Sequence, residues 1–227
     1  MKVFGDGFSV DDIKRYDELL DGFTSNPSLM KKLGVTNYVE YCKQMLQATE
    51  KPVSLEILSD DYDEIIREAT VLQELGSNAY VKVPITNSLG NSNLPSVSHL
   101  VEAGVNINIT AVFSCKQIDD VVESLPRDKG YIISVFAGRI ADSGLDPESY
   151  IKYAVARTAS CQAEVLWAST REVLNICQAK KCSCDIITVS SGLYQKYIEN
   201  YGKDLEDFSL ETVQMFKRDG DESGYSI

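Results

Sequence analysis

Short apolar runs rich in β-branched residues alternate with amphipathic segments along this 227-residue chain. The alternation of apolar and polar residues over positions 105–112 is typical of a half-buried strand. The predicted strands are residues 2–5, 53–58, 79–84, 105–112, 131–135, 164–168 and 185–189. The predicted helices are residues 9–20, 29–33, 38–49, 60–75, 95–103, 116–124, 147–159, 170–180 and about 191–216. Strands that alternate with helices predict a parallel sheet with crossover helices, which is the α/β class.

The number of β units separates two α/β architectures. Close to eight units in one chain favour a single (β/α)8 barrel, or TIM barrel. The alternative is a doubly wound open sheet, which usually has a glycine-rich phosphate loop after its first strand, and residues 5–8 (GDGF) are too short for one. Residues 21–28 are predicted to lead into and form a turn. Because no linker interrupts the chain, we expect one domain over residues 1–227, ending in a helical tail from about residue 203.

Composition excludes several function classes. The formal net charge of −12 disfavours a nucleic-acid or anionic-membrane partner, and any anionic substrate would need a local cluster of cations. The N-terminal residues lack the apolar stretch of a signal peptide, and no apolar run is long enough to span a membrane, so we expect a cytoplasmic protein. The six cysteines form no Cys-x-x-Cys pair, and His99 is the one histidine, so free thiols and no metal site are expected.

Lys82 is the first candidate for a catalytic residue. It lies in the apolar, β-rich run at residues 79–84, where a lysine is rarely buried without a partner. A buried lysine amine can lose its proton and attack a carbonyl carbon to form a Schiff base. The alternative is a lysine on an edge strand whose ammonium group reaches solvent.

Other polar residues lie within or just after the predicted strands. In a (β/α)8 barrel the carboxyl ends of the strands meet at the face that carries the active site. Inward-pointing polar groups there are costly unless they are paired, so their convergence would indicate a functional pocket. The set is Asp6, Asn26, Glu56, Lys82, Asn108, Thr110, Ser134, Arg139, Ser169 and Arg171.

Five short motifs give the chain a family resemblance. They are residues 24–28 (TSNPS), 81–84 (VKVP), 108–114 (NITAVFS), 136–139 (FAGR) and 168–171 (ASTR). In this order and spacing they resemble the transaldolase family, in particular its short branch, which includes fructose-6-phosphate aldolases. The resemblance extends over nearly the whole chain and implies a (β/α)8 barrel.

The resemblance also implies a catalytic role for four residues. Lys82 would form a Schiff base with the C2 carbonyl of a ketose, and Asp6 would take the proton of the C4 hydroxyl, so that the C3–C4 bond breaks. Glu56 and Thr110 would hold a water that shuttles protons. No metal or organic cofactor is required, because the lysine imine itself accepts the electrons.

The remaining predicted site residues would bind the substrate. The hydroxyls of the three-carbon unit would be bound by Asn26, Asn108 and Ser134. The phosphate would be bound by Arg139, Ser169 and Arg171, since the arginine fork offers paired donors to phosphate oxygens. The implied reaction moves a dihydroxyacetone unit from fructose 6-phosphate or sedoheptulose 7-phosphate to an aldose phosphate, as in the pentose phosphate pathway.

Two positions bear on the branch. The position of Glu56 is occupied by glutamate in transaldolases and by glutamine in fructose-6-phosphate aldolases. The position of Phe136 is occupied by phenylalanine in transaldolases and by tyrosine in the aldolases. Both therefore favour transfer over simple cleavage of fructose 6-phosphate without an acceptor. Ser25, Gly7 and the Asn-rich stretch 87–95 depart from the family pattern, which leaves open a transaldolase for a modified, for example sulfonated, sugar. A non-catalytic sugar-phosphate-binding barrel is the third hypothesis.

The tail is the part that the sequence determines least. Leu205, Phe208, Leu210, Val213 and Phe216 could form an apolar stripe on a helix. Packing against the chain's own barrel is one reading of this stripe. The family resemblance instead implies packing on a neighbouring subunit, in a homo-oligomer of five or ten chains.

Overall fold

Eight parallel strands close into a barrel in the computed structural model, which describes residues 1–226. The strands are β1 (Lys2–Asp6), β2 (Gly22–Thr24), β3 (Val53–Glu56), β4 (Ala79–Pro84), β5 (Ile107–Val112), β6 (Tyr131–Val135), β7 (Ala163–Trp167) and β8 (Ile186–Val189). Each strand pairs with its neighbours in chain order, and β8 pairs with β1. The predicted (β/α)8 barrel is confirmed, and the open-sheet alternative is wrong.

Helices connect the strands and continue after the last one. They are α1 (Val10–Tyr16), α2 (Pro27–Lys32), α3 (Tyr38–Gln47), α4 (Tyr62–Glu74), α5 (Leu94–Glu102), α6 (Cys115–Ser124), α7 (Ala137–Asp142), α8 (Pro147–Thr158), α9 (Leu174–Lys181), α10 (Ser191–Asn200) and α11 (Leu205–Ser223). Ser9 caps α1 in a capping box with Asp12, as its position before an acidic first turn predicts. Within residues 1–226, no helix is both long and apolar enough to cross a bilayer.

The strand β2 corrects the prediction that residues 21–28 only lead into and form a turn. It has three residues, too few to show the alternation of apolar and polar residues that indicates a strand, and it begins with a glycine. That glycine is required by packing, since a Cβ on Gly22 would lie 2.7 Å from the ring of Phe4. Phe23 pairs with Gly5 on one side and with Val53 on the other, and these two pairings complete the barrel.

The interior of the barrel has an apolar layer beneath a polar one. Side chains two positions apart on a strand share a face. Phe4, Ile132, Leu166 and Ile186 pack together in a small inner cluster, while the larger core lies between strands and helices. Asp6 and Ser134 stand two residues beyond Phe4 and Ile132, so the upper layer at the carboxyl ends of the strands is polar.

Three predicted helices differ clearly from the structure. The first, expected over residues 9–20, is α-helical at Val10–Tyr16 and continues as a 3-10 turn over Asp17–Leu19. The helix expected over residues 170–180 begins at Leu174, because residues 168–173 form a loop in which Ser169 has φ +65°. The tail expected as one helix over 191–216 is α10 and α11, which are separated at residues 201–204. No residue of α11 is buried within the described chain, so the predicted apolar stripe is exposed on the barrel's own structure. Residue 227 of the predicted tail lies outside the described residues.

Candidate active site

A cleft of about 600 Å³ opens at the carboxyl ends of the strands. Ten of the eleven site residues predicted from sequence line it, and the eleventh, Asn108, lies buried directly behind one of them. The lining residues from the prediction are Asp6, Asn26, Glu56, Lys82, Thr110, Ser134, Phe136, Arg139, Ser169 and Arg171. The structure therefore brings together side chains that are spread over more than 160 positions of the sequence.

Lys82 lies at the floor of the cleft and is 6% exposed. Its Nζ donates a hydrogen bond to the carbonyl oxygen of Ser25 at 3.1 Å and lies 3.4 Å from Oε2 of Glu56. The register of β3 and β4 causes this pairing, because it sets Glu56 directly beside Lys82. The reading of Lys82 as an edge-strand lysine is wrong, since a closed barrel has no edge and the ammonium group is buried.

The Glu56 carboxyl is held in a mostly buried position. Burial raises its pKa above the ordinary value, the charge of Lys82 and their hydrogen bond offset part of that rise, and the charge of Asp6 adds to it. The phenol of Tyr38, on α3, donates a hydrogen bond to the main-chain carbonyl of Glu56. The carboxyl group is thus held beside the lysine, and its raised pKa is of the kind that suits a proton donor and acceptor.

Asp6 lies at the end of β1, beside β2. Its Oδ1 accepts a hydrogen bond of 2.6 Å from Oγ1 of Thr24, the residue that the strand register sets opposite it. This bond occupies one carboxylate oxygen and leaves Oδ2 available to a ligand in the cleft. Thr24 was missed by the sequence analysis because β2 was not predicted as a strand.

A chain of hydrogen bonds fixes the polar side of the floor. Oγ of Ser134 donates to Oδ1 of Asn108 at 2.7 Å, and Nδ2 of Asn108 donates to Oγ of Ser54 at 3.1 Å. Asn108 is completely buried, so it orients Ser134 from behind. Oγ1 of Thr110 is buried at the cleft and has no hydrogen-bond partner within residues 1–226, so it can bind a group that enters the cleft.

Asn26 combines a structural contact with a place in the cleft. Its Oδ1 accepts a hydrogen bond of 3.0 Å from the Leu29 N–H, which caps α2. The side-chain NH2 group is then left to donate to a ligand. At its other end α2 contributes Lys32 to the cleft lining, a cation that the sequence analysis did not select. The sequence could have indicated Lys32 through its place at the end of the short helix that Asn26 caps.

The rim beside β6 and β7 carries two arginines. The guanidinium of Arg139 lies 5.7 Å from the ring centre of Phe136, whose ring is 5.4 Å from that of Phe113. Arg171 forms an ion pair with Asp142, the last residue of α7. Together with Lys32 these arginines give an acidic chain a local concentration of positive charge, which suits an anionic substrate.

No cluster of three or more metal-ligating side chains occurs in the part of the chain that the structure describes. The cleft offers a buried lysine, two carboxylates, several hydroxyl and amide groups and a cationic rim. Such a set fits covalent chemistry on the carbonyl of a polyhydroxylated, anionic small molecule.

Known proteins share the fold and, in part, the sequence. An orotidine 5'-phosphate decarboxylase from Pyrococcus horikoshii has a similar structure, with a TM-score of 0.61 and 15% identity over 86% of this chain and 91% of that one. A structure titled "Native KDPGal structure" gives a TM-score of 0.55 at 13% identity over 90% of this chain and 86% of that one. At these identities the likeness shows the barrel fold alone.

Sequence similarity is more specific. A probable transaldolase of Thermoanaerobacter sp. (strain X514) is 30% identical over 100% of both chains. A probable transaldolase of Nitrosopumilus maritimus is 31% identical over 93% of this chain and 97% of its own length, and a probable transaldolase 2 of Listeria monocytogenes is 32% identical over 92% and 98%. The family model described as transaldolase/fructose-6-phosphate aldolase matches residues 3–225. The chain therefore belongs to the transaldolase/fructose-6-phosphate aldolase family.

Proposed function

We propose that this protein is a transaldolase that transfers a dihydroxyacetone unit from a ketose phosphate, such as fructose 6-phosphate or sedoheptulose 7-phosphate, to an aldose phosphate. The observation that carries the proposal is Lys82, buried at the floor of the cleft with Nζ 3.4 Å from the Glu56 carboxylate. A buried amine beside a carboxylate can exchange protons with it, and only the neutral amine attacks a carbonyl.

The reaction begins with imine formation. The Lys82 amine attacks C2 of the ketose, and the carbinolamine loses its oxygen as water to give a protonated imine. Glu56 and Thr110 flank this position and hold the water that carries protons between nitrogen and oxygen. The raised pKa of Glu56 suits it to both accept and return a proton. The imine replaces a metal or organic cofactor as the electron acceptor.

Asp6 then acts as the base. It takes the proton of the C4 hydroxyl, the C3–C4 bond breaks, and its electron pair moves into the imine to form an enamine, while C4 leaves as an aldehyde. The enamine carbon then attacks the carbonyl carbon of an acceptor aldehyde, whose oxygen takes the proton back from Asp6, and the imine forms again. Water hydrolyses this imine, which releases the product ketose and returns the Lys82 amine. The bond from Thr24 holds the Asp6 carboxylate toward the cleft during both steps.

The other predicted residues bind the substrate. Asn26, Ser134 and, through Ser134, Asn108 bind the hydroxyls of the three-carbon unit. Arg139, Ser169 and Arg171 bind the phosphate at the rim. Because donor and acceptor occupy the cleft one after the other, a single phosphate site serves both.

Phe136 favours transfer over cleavage. Its ring lines the cleft but has no hydroxyl to protonate the enamine, so the enamine persists until an acceptor arrives. Cleavage of fructose 6-phosphate without an acceptor is the second candidate function. A transaldolase for a modified, for example sulfonated, sugar is a variant of the first, and it rests on the Asn-rich stretch 87–95, whose sequence departs from the family pattern.

The test supplies purified protein with fructose 6-phosphate, with and without erythrose 4-phosphate, and follows the release of glyceraldehyde 3-phosphate. We expect release that depends on the acceptor. Sustained release without the acceptor would instead establish an aldolase. Absence of release, together with borohydride trapping of other ketoses on Lys82, would mean that the sugar is a different one, and absence of trapping would reject the Schiff base.

The proposal extends to location and assembly. We place the enzyme in the cytoplasm, in the pentose phosphate pathway, with sugar phosphates and neither nucleic acid nor membrane as partners. We propose a homo-oligomer of five or ten chains in which α11 packs on a neighbouring subunit. Its Phe208, Leu210, Val213 and Phe216 side chains are all more than 40% exposed on the single chain. Sedimentation equilibrium of the full chain tests this, and a monomer would refute it.

A further inference from the structure

We propose that Asp142 is a positioning residue of the phosphate site: it holds one edge of the Arg171 guanidinium so that the opposite edge is presented to the phosphate. The inference rests on the proposed function, because it concerns the arginine that would bind the sugar phosphate there. No role was assigned to Asp142 from sequence. It is the last residue of α7 and lies just outside the cleft.

The contacts between the two side chains are specific. Nε of Arg171 lies 3.2 Å from Oδ1 and 3.1 Å from Oδ2 of Asp142, and Nη2 lies 2.5 Å from Oδ2. A guanidinium has five N–H donors in a planar fork. The carboxylate therefore occupies the side of the fork formed by Nε and one hydrogen of Nη2.

The end of the fork remains available. Its two parallel donors, one on Nη1 and one on Nη2, have no partner among the residues that the structure describes. Two parallel N–H groups match two oxygens of a phosphate. A guanidinium that is fixed along its side loses less rotational freedom on binding than one that moves freely, and this favours affinity.

The position of Asp142 is itself fixed by the fold. Gly138 lies near the start of helix α7. The N–H of Gly138 donates a hydrogen bond of 3.3 Å to the carbonyl oxygen of Ala168, in the loop that also contains Arg171. Asp142 binds the same loop from the other end of the helix. Arg139 lies between the two, so both arginines of the site are held by one short helix.

Electrostatics support the same assignment. The hydrogen bond from Arg171, followed by the charges of Arg171 and Arg139, lowers the pKa of Asp142, so the group is a carboxylate at neutral pH. Its negative charge opposes phosphate binding, but both side chains are about half exposed and the repulsion is screened by solvent. We therefore expect the orienting effect to exceed the repulsion.

The experiment compares Asp142→Ala and Asp142→Asn with the wild type and with a matched control, Asp120→Asn. Asp120 forms an ion pair with Lys116 on α6, away from the cleft. Inorganic phosphate is titrated by calorimetry. With sedoheptulose 7-phosphate as the donor, KM and kcat are measured with glyceraldehyde 3-phosphate and with glyceraldehyde as acceptors. The calorimetric arm needs no turnover, so it tests Asp142 even if the proposed reaction fails.

For Asp142→Ala we expect phosphate affinity to fall about three- to tenfold, from the cost of ordering one long side chain. The KM of this variant for glyceraldehyde 3-phosphate should rise by the same factor, while its kcat changes little. Asp142→Asn keeps an acceptor oxygen, so its phosphate affinity and KM should lie between those of the wild type and of Asp142→Ala. Adding Asp142→Ala to Arg171→Ala should cause no further loss. Unchanged or tighter phosphate binding in Asp142→Ala, a further loss in the double variant, or a wild type that binds no phosphate would overturn the proposal.

Discussion

Gly138 lies so close to the carbonyl group of Ser169 that a Cβ on Gly138 would be 1.5 Å from that oxygen. The contact joins the start of α7, which carries Arg139, to the loop that carries Arg171. Ser169 itself has φ +65°, a left-handed conformation that residues other than glycine rarely adopt, whereas Gly138 is helical and is limited by the lack of space for a side chain. The spacing of the two arginines at the rim therefore depends on a position without a side chain.

Replacing Gly138 by Ala should separate these two segments. Real Cβ atoms do not approach a carbonyl oxygen to 1.5 Å, so the backbone must move, at a cost of about 1–3 kcal/mol of unfolding free energy or more. We expect a lower Tm and a raised KM for phosphorylated substrates. The matched control is Gly192→Ala, where a Cβ meets nothing within 4 Å, and equal behaviour of the two variants would contradict the prediction.

Replacing Lys82 by Met should abolish turnover while the barrel still folds. Methionine is unbranched, close to lysine in length and compatible with a buried site, but it cannot form a Schiff base. Borohydride reduction in the presence of fructose 6-phosphate should add the mass of a reduced dihydroxyacetone unit, with some uncleaved sugar adduct, to the wild type, and neither adduct to the variant. Lys116→Met, on the surface of α6, is the control that should keep full turnover. Unchanged turnover in Lys82→Met would reject the mechanism.

Replacing Phe136 by Tyr should increase the release of dihydroxyacetone without an acceptor. A hydroxyl at this point of the cleft lining can supply a proton to the enamine, and a positioned acid contributes roughly 10²–10⁴-fold. We expect the acceptor-free rate to rise at least about tenfold. Phe113→Tyr adds the same group to the adjoining ring, which does not line the cleft, and serves as the control. If both variants respond equally, the special role of position 136 is refuted.

The raised pKa of Glu56 predicts how stability depends on pH. A carboxyl whose pKa is higher in the folded than in the unfolded state contributes stability below its unfolded pKa and loses that contribution as pH rises through the folded pKa. As pH rises from the ordinary glutamate pKa of 4.5 toward neutrality, the free energy of unfolding of the wild type should therefore fall relative to that of Glu56→Gln. Urea unfolding at several pH values measures this difference.

Glu148 provides the opposite control for the pH series. Hydrogen bonding to Lys152 lowers its pKa, so its contribution is present at neutral pH and is lost as pH falls through the lowered pKa. The difference between the wild type and Glu148→Gln should therefore change with pH in the reverse direction. The same direction for both variants would contradict the assignment for Glu56.

Part of the site could be predicted from local pattern. Lys82 was selected because an apolar strand rarely contains a lysine, and Glu56, Thr110 and Ser134 because they are polar residues within predicted strands. These signals are properties of neighbouring residues, and in a parallel barrel the end of a strand defines its place at the active-site face. Glu56 and Lys82 were therefore predicted to converge without any knowledge of their contact.

Other features depended on contacts between distant segments. The carbonyl that accepts from Lys82 is 57 positions away, Asp142 and Arg171 are 29 positions apart, and β2 is defined by its neighbours rather than by its own three residues. The period and composition of the chain specified the barrel and the polar ends of its strands, because both follow from local burial. Barrel closure and side-chain packing decided that Lys82 is buried, that Gly138 touches Ser169 and that Asp142 binds Arg171, because hydrogen bonds and steric contacts require three-dimensional proximity.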